Sequence, residues 1–469
     1  MPHDKRAALD GRLVMLGFGS IGQAVLTLLL RHLELEASRI EVIKPSSQGL
    51  SVANRYGVRH TQLRVTRDNH VEVLAPRLGP QDVLLNLSVG VGSKDLIQLC
   101  QLCGALYLDA STEPWSGADA NSQLPLEAYT NYALRKAVLS LRATGGADQP
   151  TALVTLGANP GVASFLVKQA LLDLAGDSVE VPQTRVQWAL LAQDLGVRVI
   201  HVSERDTQVA ERRKAQDEFV NTWSVDGFVA EALQPAELGW GTHECHFPHD
   251  GVRHTTGCRS AIYLKRPGAA TRVRSWAPLA GPFEGFLVSH AESISIAHYL
   301  TIGDPERPDY RPTVHYAYHP CDDAVLSIHE LSGRQWRPQT ARRILRDGLV
   351  GGRDELGVLL MGHQRGAYWL GSHLAVEDAR KLCPYNSATS LQVAAAIMAG
   401  VVWALKNPRR GLLEPDELPF DEMMALIHPY WGEIVGDYSA WTPLDGRRSL
   451  FEEFMDRTDP WQFANFRVC

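Results

Sequence analysis

The 469-residue chain contains no stretch approaching eighteen uninterrupted apolar residues, so nothing in it reads as a membrane-spanning helix. Its opening segment, MPHDKRAALDGR, lacks the apolar centre of a signal peptide, and the expected location is the cytoplasm. Cysteine is sparse: seven scattered thiols do not make a disulfide framework, and all are expected to be reduced. A surplus of basic charge is also missing, and the formal net charge of −7 argues against nucleic acid as a partner. The chain has no HExxH, no P-loop and no G-x-S-x-G, and it lacks internal repeats and low-complexity tracts.

What is present is an ordinary globular composition, 45% hydrophobic and 21% charged, in a chain long enough for two or three domains. The strongest local signal is RLVMLGFGSIGQAVLTLLLRHL. Arg12 to Leu16 suits a buried strand, Gly17-Phe18-Gly19-Ser20-Ile21-Gly22 follows as G-x-G-x-x-G, and an apolar helix comes next. Gly17 permits the tight turn and Gly19 lets the backbone approach a pyrophosphate. Gly22 lets the helix pack on the strand, and the amides at Ser20 and Ile21 face phosphate charge. This predicts a dinucleotide site. A second strand, Ile40–Ile43, ends in Lys44 and Pro45 where a ribose-binding carboxylate usually stands, so the fingerprint itself does not choose between NAD and NADP.

Further strands are expected at 82–89 and 105–111, making residues 1–150 a doubly wound Rossmann-type parallel sheet. Residues just past its strand ends face ligand, which nominates Ser88, Asp109 and Thr112 to Trp115. The turn in TALVTLGANPGVASF adds Asn159 as a cofactor or substrate contact. Residues 151–385 are expected to form a second, α+β domain for substrate, catalysis and dimerisation, with VQWALLAQ, VRVIHVSE and SAIYLK as antiparallel strands. Residues 386–469 are expected to hold one long apolar helix, begun by an Asn-Ser cap and packed against the other domains, and a tail.

Two clusters invite a metal reading. Cys100 and Cys103 form a CxxC in an apolar helical setting with no second pair, and THECHFPHD gathers His243, Cys245, His246 and His249 without a distant partner pair; no metal is expected at either. Charge is concentrated elsewhere. Residues 194–250 carry eleven acidic and five basic side chains, an excess of six that is nearly the excess of the whole chain. Within that segment Asp217, Glu218, Asp226 and Glu231 surround Trp223, an arrangement expected to suit a cation, although a solvated helix face is what most charge runs are.

Together the glycine fingerprint, GANPGVASF, VSERDTQ, FVNTWSVDGFVAEALQPAELGWGTHE, SHAESISIAHY and DELGVLLMG resemble the bacterial homospermidine synthase family, within the saccharopine-dehydrogenase-like group. The resemblance implies an NAD-dependent, homodimeric cytoplasmic enzyme that joins two putrescines into homospermidine with release of ammonia, and that accepts spermidine as an aminobutyl donor. Position by position it implies substrate carboxylates at Glu113, Glu204, Glu231 and Asp354, an aromatic at Trp223, an amide at Asn159 and an imidazole at His290. One departure is Gly90, which stands where an acidic residue is expected after NLSV.

The chemistry accounts for these residue types. A diamine carries two ammonium groups at neutral pH, and burying them requires carboxylates. One ammonium must lose a proton before hydride can leave the adjacent carbon, so a base is needed, and His290 or a carboxylate is eligible. Two alternatives stand beside this reading. A saccharopine- or carboxynorspermidine-type dehydrogenase would need an arginine clamp for its substrate's carboxylate, with Arg205, Arg212 and Arg213 as candidates. A catalytically silent NAD-sensing protein would use the same scaffold.

Overall fold

The computed structural model describes residues 5–117, 124–143, 148–177, 179–447 and 454–468. Its first sheet has seven parallel strands in the spatial order Leu412–Leu413, Ala152–Leu153, Leu106–Asp109, Val83–Asn86, Leu13–Leu16, Ile40–Lys44, Arg59–Gln62. Every residue of Leu13–Leu16 and Val83–Asn86 is buried, as expected of central strands covered on both faces. Chain order reverses between these two strands, so the crevice at their carboxyl ends is the topological switch point where such sheets take ligands. The expected Rossmann-type architecture is observed, and its sheet also takes one short strand from beyond residue 150 and another from residues 412–413.

The second sheet has eleven strands and is mixed, which corrects the antiparallel expectation. Val199–Asp206 runs parallel to Thr313–His319 on one side and antiparallel to Arg353–His363 on the other. VQWALLAQ is no strand: it lies in the helix Arg185–Asp194, opened by a capping box in which Thr184 and Gln187 satisfy each other's backbone N–H groups. Only Trp188, Ala189 and Ala192 of that helix are buried, a helical spacing on a mostly exposed element.

The expected long helix is Ala388–Lys406, and Ser387 caps it by accepting from the Ser390 amide. It packs on the fingerprint helix Ser20–His32, on the strand Leu106–Asp109 of the first sheet and on the strand Arg353–His363 of the second. Among the described residues it is the one helix with the length and apolarity to cross a membrane, and 89% of its most apolar stretch is buried inside the protein. Gly400 allows this close approach, because a Cβ there would come within 2.2 Å of Leu156 Cδ2. The six cysteines among the described residues are free thiols.

Candidate active site

The fingerprint turn is built for a ligand. Gly17 has φ +84°, and a Cβ on it would strike the Leu87 carbonyl oxygen at 2.6 Å and Ser88 Oγ at 2.8 Å. Gly19 is the opposite case, an ordinary φ of −74° with nothing within 4 Å of where its Cβ would stand. It precedes the helix Ser20–His32, whose first turn has no side-chain cap and no acidic residue. The amides of Ser20, Ile21 and Gly22 are therefore free to face an anion such as a pyrophosphate. Lys44 Nζ is turned inward, donating to the Phe18 (3.4 Å) and Gln48 carbonyls, and burial lowers its pKa. It braces the turn.

Next to the turn lies a cavity of about 130 Å³ between the strand ends of both sheets. Ile21 and Ser88 reach it from the side of the glycine turn, and Glu113, Asn159, Glu204, Trp223, Glu231 and His290 from the other walls. The sequence-nominated residues thus converge from seven separate segments of the chain. A second chamber of about 470 Å³ shares Glu113, Glu231 and His290 with it and extends past Gly90, Trp115 and Tyr129.

Two nominated residues sit behind the wall. Asp109 is buried in the sheet, accepting from Ser93 Oγ and Tyr107 OH at 2.8 Å each and from the Thr155 amide at 2.7 Å, so it anchors the turn that leads to Asn159. Asp354 pairs in register with Asp206 on the neighbouring strand and accepts the hydroxyl of Thr389, which itself lines the cavity.

The acidic segment around Trp223 is resolved differently from its sequence pattern. Glu218 is paired with Arg343 (2.8 Å) and Arg212, Asp217 with Arg334, and Asp226 with Arg342. Arginines from residues 334–343 neutralise three of the four carboxylates, and only Glu231 reaches the cavity. Trp223 is half-buried, with its indole N–H 3.3 Å from Tyr318 OH and its ring against Phe228. Two of the three imidazoles of THECHFPHD are likewise engaged: His243 bonds the Trp461 carbonyl and His246 pairs with Asp456.

At Glu113 and Glu204, two of the carboxylates that do line the cavity, burial dominates. It raises Glu113 and Glu204 each to about 7, against the hydrogen bonds that favour their charged forms. Those bonds come from the Gly90 amide to Glu113 (2.9 Å), and from Asn159 Nδ2 (3.0 Å) and Tyr316 OH to Glu204. Asp206, at about 6, and Asp354, pushed well above its ordinary range, extend the same low-dielectric patch. His290 is held the other way. Burial disfavours its imidazolium, but Glu292 at Nδ1 and Glu231 at Nε2, both 3.1 Å away, outweigh that and raise its pKa well above normal. With carboxylates on both nitrogens the ring is a donor at each, a fixed cation.

Two family models of saccharopine dehydrogenases match: the NADP binding domain over residues 13–153 and the C-terminal domain over residues 157–437. Homospermidine synthase of Blastochloris viridis is 51% identical, with 98% of each chain covered. The chain belongs to the homospermidine synthase family. Homospermidine synthase of Mesorhizobium japonicum is 47% identical, covering 98% of this chain and 97% of its own. The crystal structure of homospermidine synthase from Legionella pneumophila, in complex with NAD, superposes with a TM-score of 0.92 at 45% identity over 98% of each chain.

Within this family frame, the sequence reading missed Glu292 and Tyr316. Glu292 is two residues beyond His290 in a segment already singled out, but its role depends on the backbone turning there from a loop into the helix Ala291–Tyr299. Tyr316 gives no local signal, because it reaches Glu204 across a parallel strand pair.

The raised carboxyls predict an inverted pH response. Glu113 and Glu204 have an ordinary value of 4.5 and a folded value of about 7, so the folded state binds their protons more tightly. Their contribution favours folding below the ordinary value and is lost as pH rises from about 4.5 through about 7. Replacing Glu113 or Glu204 by Gln is therefore expected to raise the melting temperature of the diamine-free protein more at pH 8 than at pH 5, and putrescine binding to the unaltered protein to release protons. Calorimetry in buffers of different ionisation enthalpy checks the release; proton uptake on binding would refute the assignment.

Proposed function

We propose that the chain is an NAD-dependent homospermidine synthase that oxidises putrescine, or the aminobutyl part of spermidine, to an imine, condenses it with a second putrescine, and reduces the product to homospermidine. The observation that carries this is the cavity's charge. Glu113, Glu204 and Glu231 line it, and among the described residues no arginine does. The arginines a carboxylate substrate would need are committed elsewhere: Arg205 to Asp322, Arg212 to Glu218 and Arg213 to Asp323. A saccharopine-type substrate, with its own carboxylates, finds acids and no guanidinium fork.

Ser20, Ile21 and Gly22 amides and the open space at Gly19 fit the pyrophosphate of NAD, with Ser88 and Asn159 toward the reacting end. NAD held there would supply a hydride acceptor and, in its reduced form, a hydride donor, which would make the overall reaction redox-neutral. The chain does the rest. Glu231 and Glu113 hold ammonium groups at the side shared with the larger chamber, where the second diamine, or the leaving amine of spermidine, has room. Glu204 takes the proton: its value of about 7 suits a general base at neutral pH, and Asn159 and Tyr316 hold it in place. His290 is unsuited to that task because both its nitrogens already donate to carboxylates. It serves instead to orient Glu231 and to offset surplus negative charge while the cavity is empty. The Trp223 ring and the carboxylate wall favour the cationic imine and iminium species over their neutral precursors. The homodimer and the cytoplasm implied by the resemblance complete this reading.

Incubation of the protein with putrescine and catalytic NAD is expected to give ammonia and a triamine by mass spectrometry with no build-up of reduced cofactor. Stoichiometric NADH formation would instead favour a dehydrogenase. Glu204→Gln is expected to lower turnover or apparent putrescine affinity at least tenfold, about 1.4 kcal/mol, with no loss of melting temperature, because the amide replaces a carboxyl that burial already disfavours as an anion; Glu231→Gln is expected to lower activity as much and stability as well, because it breaks the pair with His290. A loss of stability in Glu204→Gln equal to its loss of activity would make Glu204 a structural group.

A further inference from the structure

On the second sheet, away from the cavity just described, four arginines line one cleft of about 570 Å³. Arg253 ends the strand Gly251–Arg253, Arg259 precedes the strand Ala261–Pro267, and Arg307 and Arg311 belong to the hairpin of 302–310 and its exit. In a chain with net charge −7 such a concentration is out of trend. Its compensation is thin. Arg259 pairs with Glu306, but no carboxylate partner of Arg253, Arg307 or Arg311 occurs among the described residues. The acid beside them, Glu244, is buried and occupied by Thr313 Oγ (2.6 Å) and the Phe463 amide (2.9 Å); burial raises it to about 7, so much of its charge is gone at neutral pH.

Arg311 is the decisive group. Only 5% of it is exposed, and it donates to Thr301 Oγ (2.9 Å) and to the Arg259 (3.0 Å) and Pro305 (3.3 Å) carbonyls. These use three of a guanidinium's five N–H groups and supply no negative charge. Burial pulls its pKa down to about 10, so it remains a cation at neutral pH. A buried, rigidly held guanidinium without a counter-ion is costly to maintain, and one at the floor of a cleft rimmed by further guanidiniums has the form of an anion receptor. Guanidinium forks match phosphate oxygens two at a time, and the cleft volume is that of a small-molecule site.

We infer that this cleft binds a phosphate-bearing small anion, with Arg311 at its floor and Arg253 and Arg307 closing on the ligand from the rim. The polyamine chemistry does not require it, and its test is independent of turnover. With the NAD site kept saturated, calorimetric titration of the full chain with inorganic phosphate, pyrophosphate and ATP is expected to show saturable binding of at least one of them. Potassium chloride at matched ionic strength is expected to give none. Arg253→Gln and Arg307→Gln, both exposed positions, should weaken that binding at least tenfold with unchanged turnover and melting temperature in the absence of added phosphate. The outcome that overturns the inference is no saturable heat with any of the three, or equal heat in both variants. It is overturned equally if light scattering shows that the variants change the oligomeric mass while none of the three phosphates binds, because a second copy of the chain would then fill the cleft.

Discussion

Gly19→Val is expected to abolish measurable NAD binding while leaving the protein folded. The two halves of that result have separate causes. The backbone at Gly19 has a negative φ, −74° with ψ −150°, so no left-handed conformation is asked of valine, and nothing lies within 4 Å of the new Cβ, so it meets no clash. That open space adjoins the free amides of the helix Ser20–His32, where a pyrophosphate has to approach, and a branched side chain fills it. Gly17→Ala is the contrasting control. There φ is +84° and the Cβ would come within 2.6 Å of the Leu87 carbonyl oxygen, so the expected loss is of stability as well as of cofactor. Calorimetry with NAD and melting curves separate the two; undiminished affinity in Gly19→Val would remove the fingerprint turn from the cofactor site.

The glycine turn was legible in the sequence because its cause is local: strand, turn and helix lie within twenty residues, and each glycine answers to backbone geometry. The long helix was legible for the same reason, through its Ser387 cap and sustained apolarity. VQWALLAQ was misread since its apolar run is short and fits either period; Thr184 and Gln187, three residues apart, were the arbitrating signal. The candidate site residues were nominated through long, specific blocks shared with a family, and the fold brings most of them to one cavity. What no local pattern carried was pairing at distance. The acidic stretch around Trp223 reads as a negative ring until residues more than a hundred positions away supply Arg334, Arg342 and Arg343. Asp354 meets Asp206 only because two strands align in one antiparallel register, and a shift of one residue would turn it to the opposite face.

With its flanking carboxylates neutralised, Trp223 has to be judged by its own ring. Its indole N–H is spent on Tyr318 OH and its ring rests on Phe228, which fixes it, while the residue still lines the cavity together with Glu204 and Glu231. An aromatic face attracts an ammonium or iminium by about 0.5 to 2 kcal/mol, more as water is excluded, and unlike a carboxylate it cannot capture the proton being moved. Carboxylates can therefore grip the ends of the diamine while the ring favours the cationic centre that forms and is consumed. If so, turnover should follow the π face: Trp223→Phe and Trp223→Tyr retain part of it, whereas Trp223→Ala loses nearly all. Trp223→Leu decides between causes, for it preserves bulk against Phe228 and removes the quadrupole. Turnover as low as alanine's, with a melting temperature near that of the phenylalanine variant, is the result expected of a cation-stabilising ring; turnover matching phenylalanine's would assign Trp223 to packing alone.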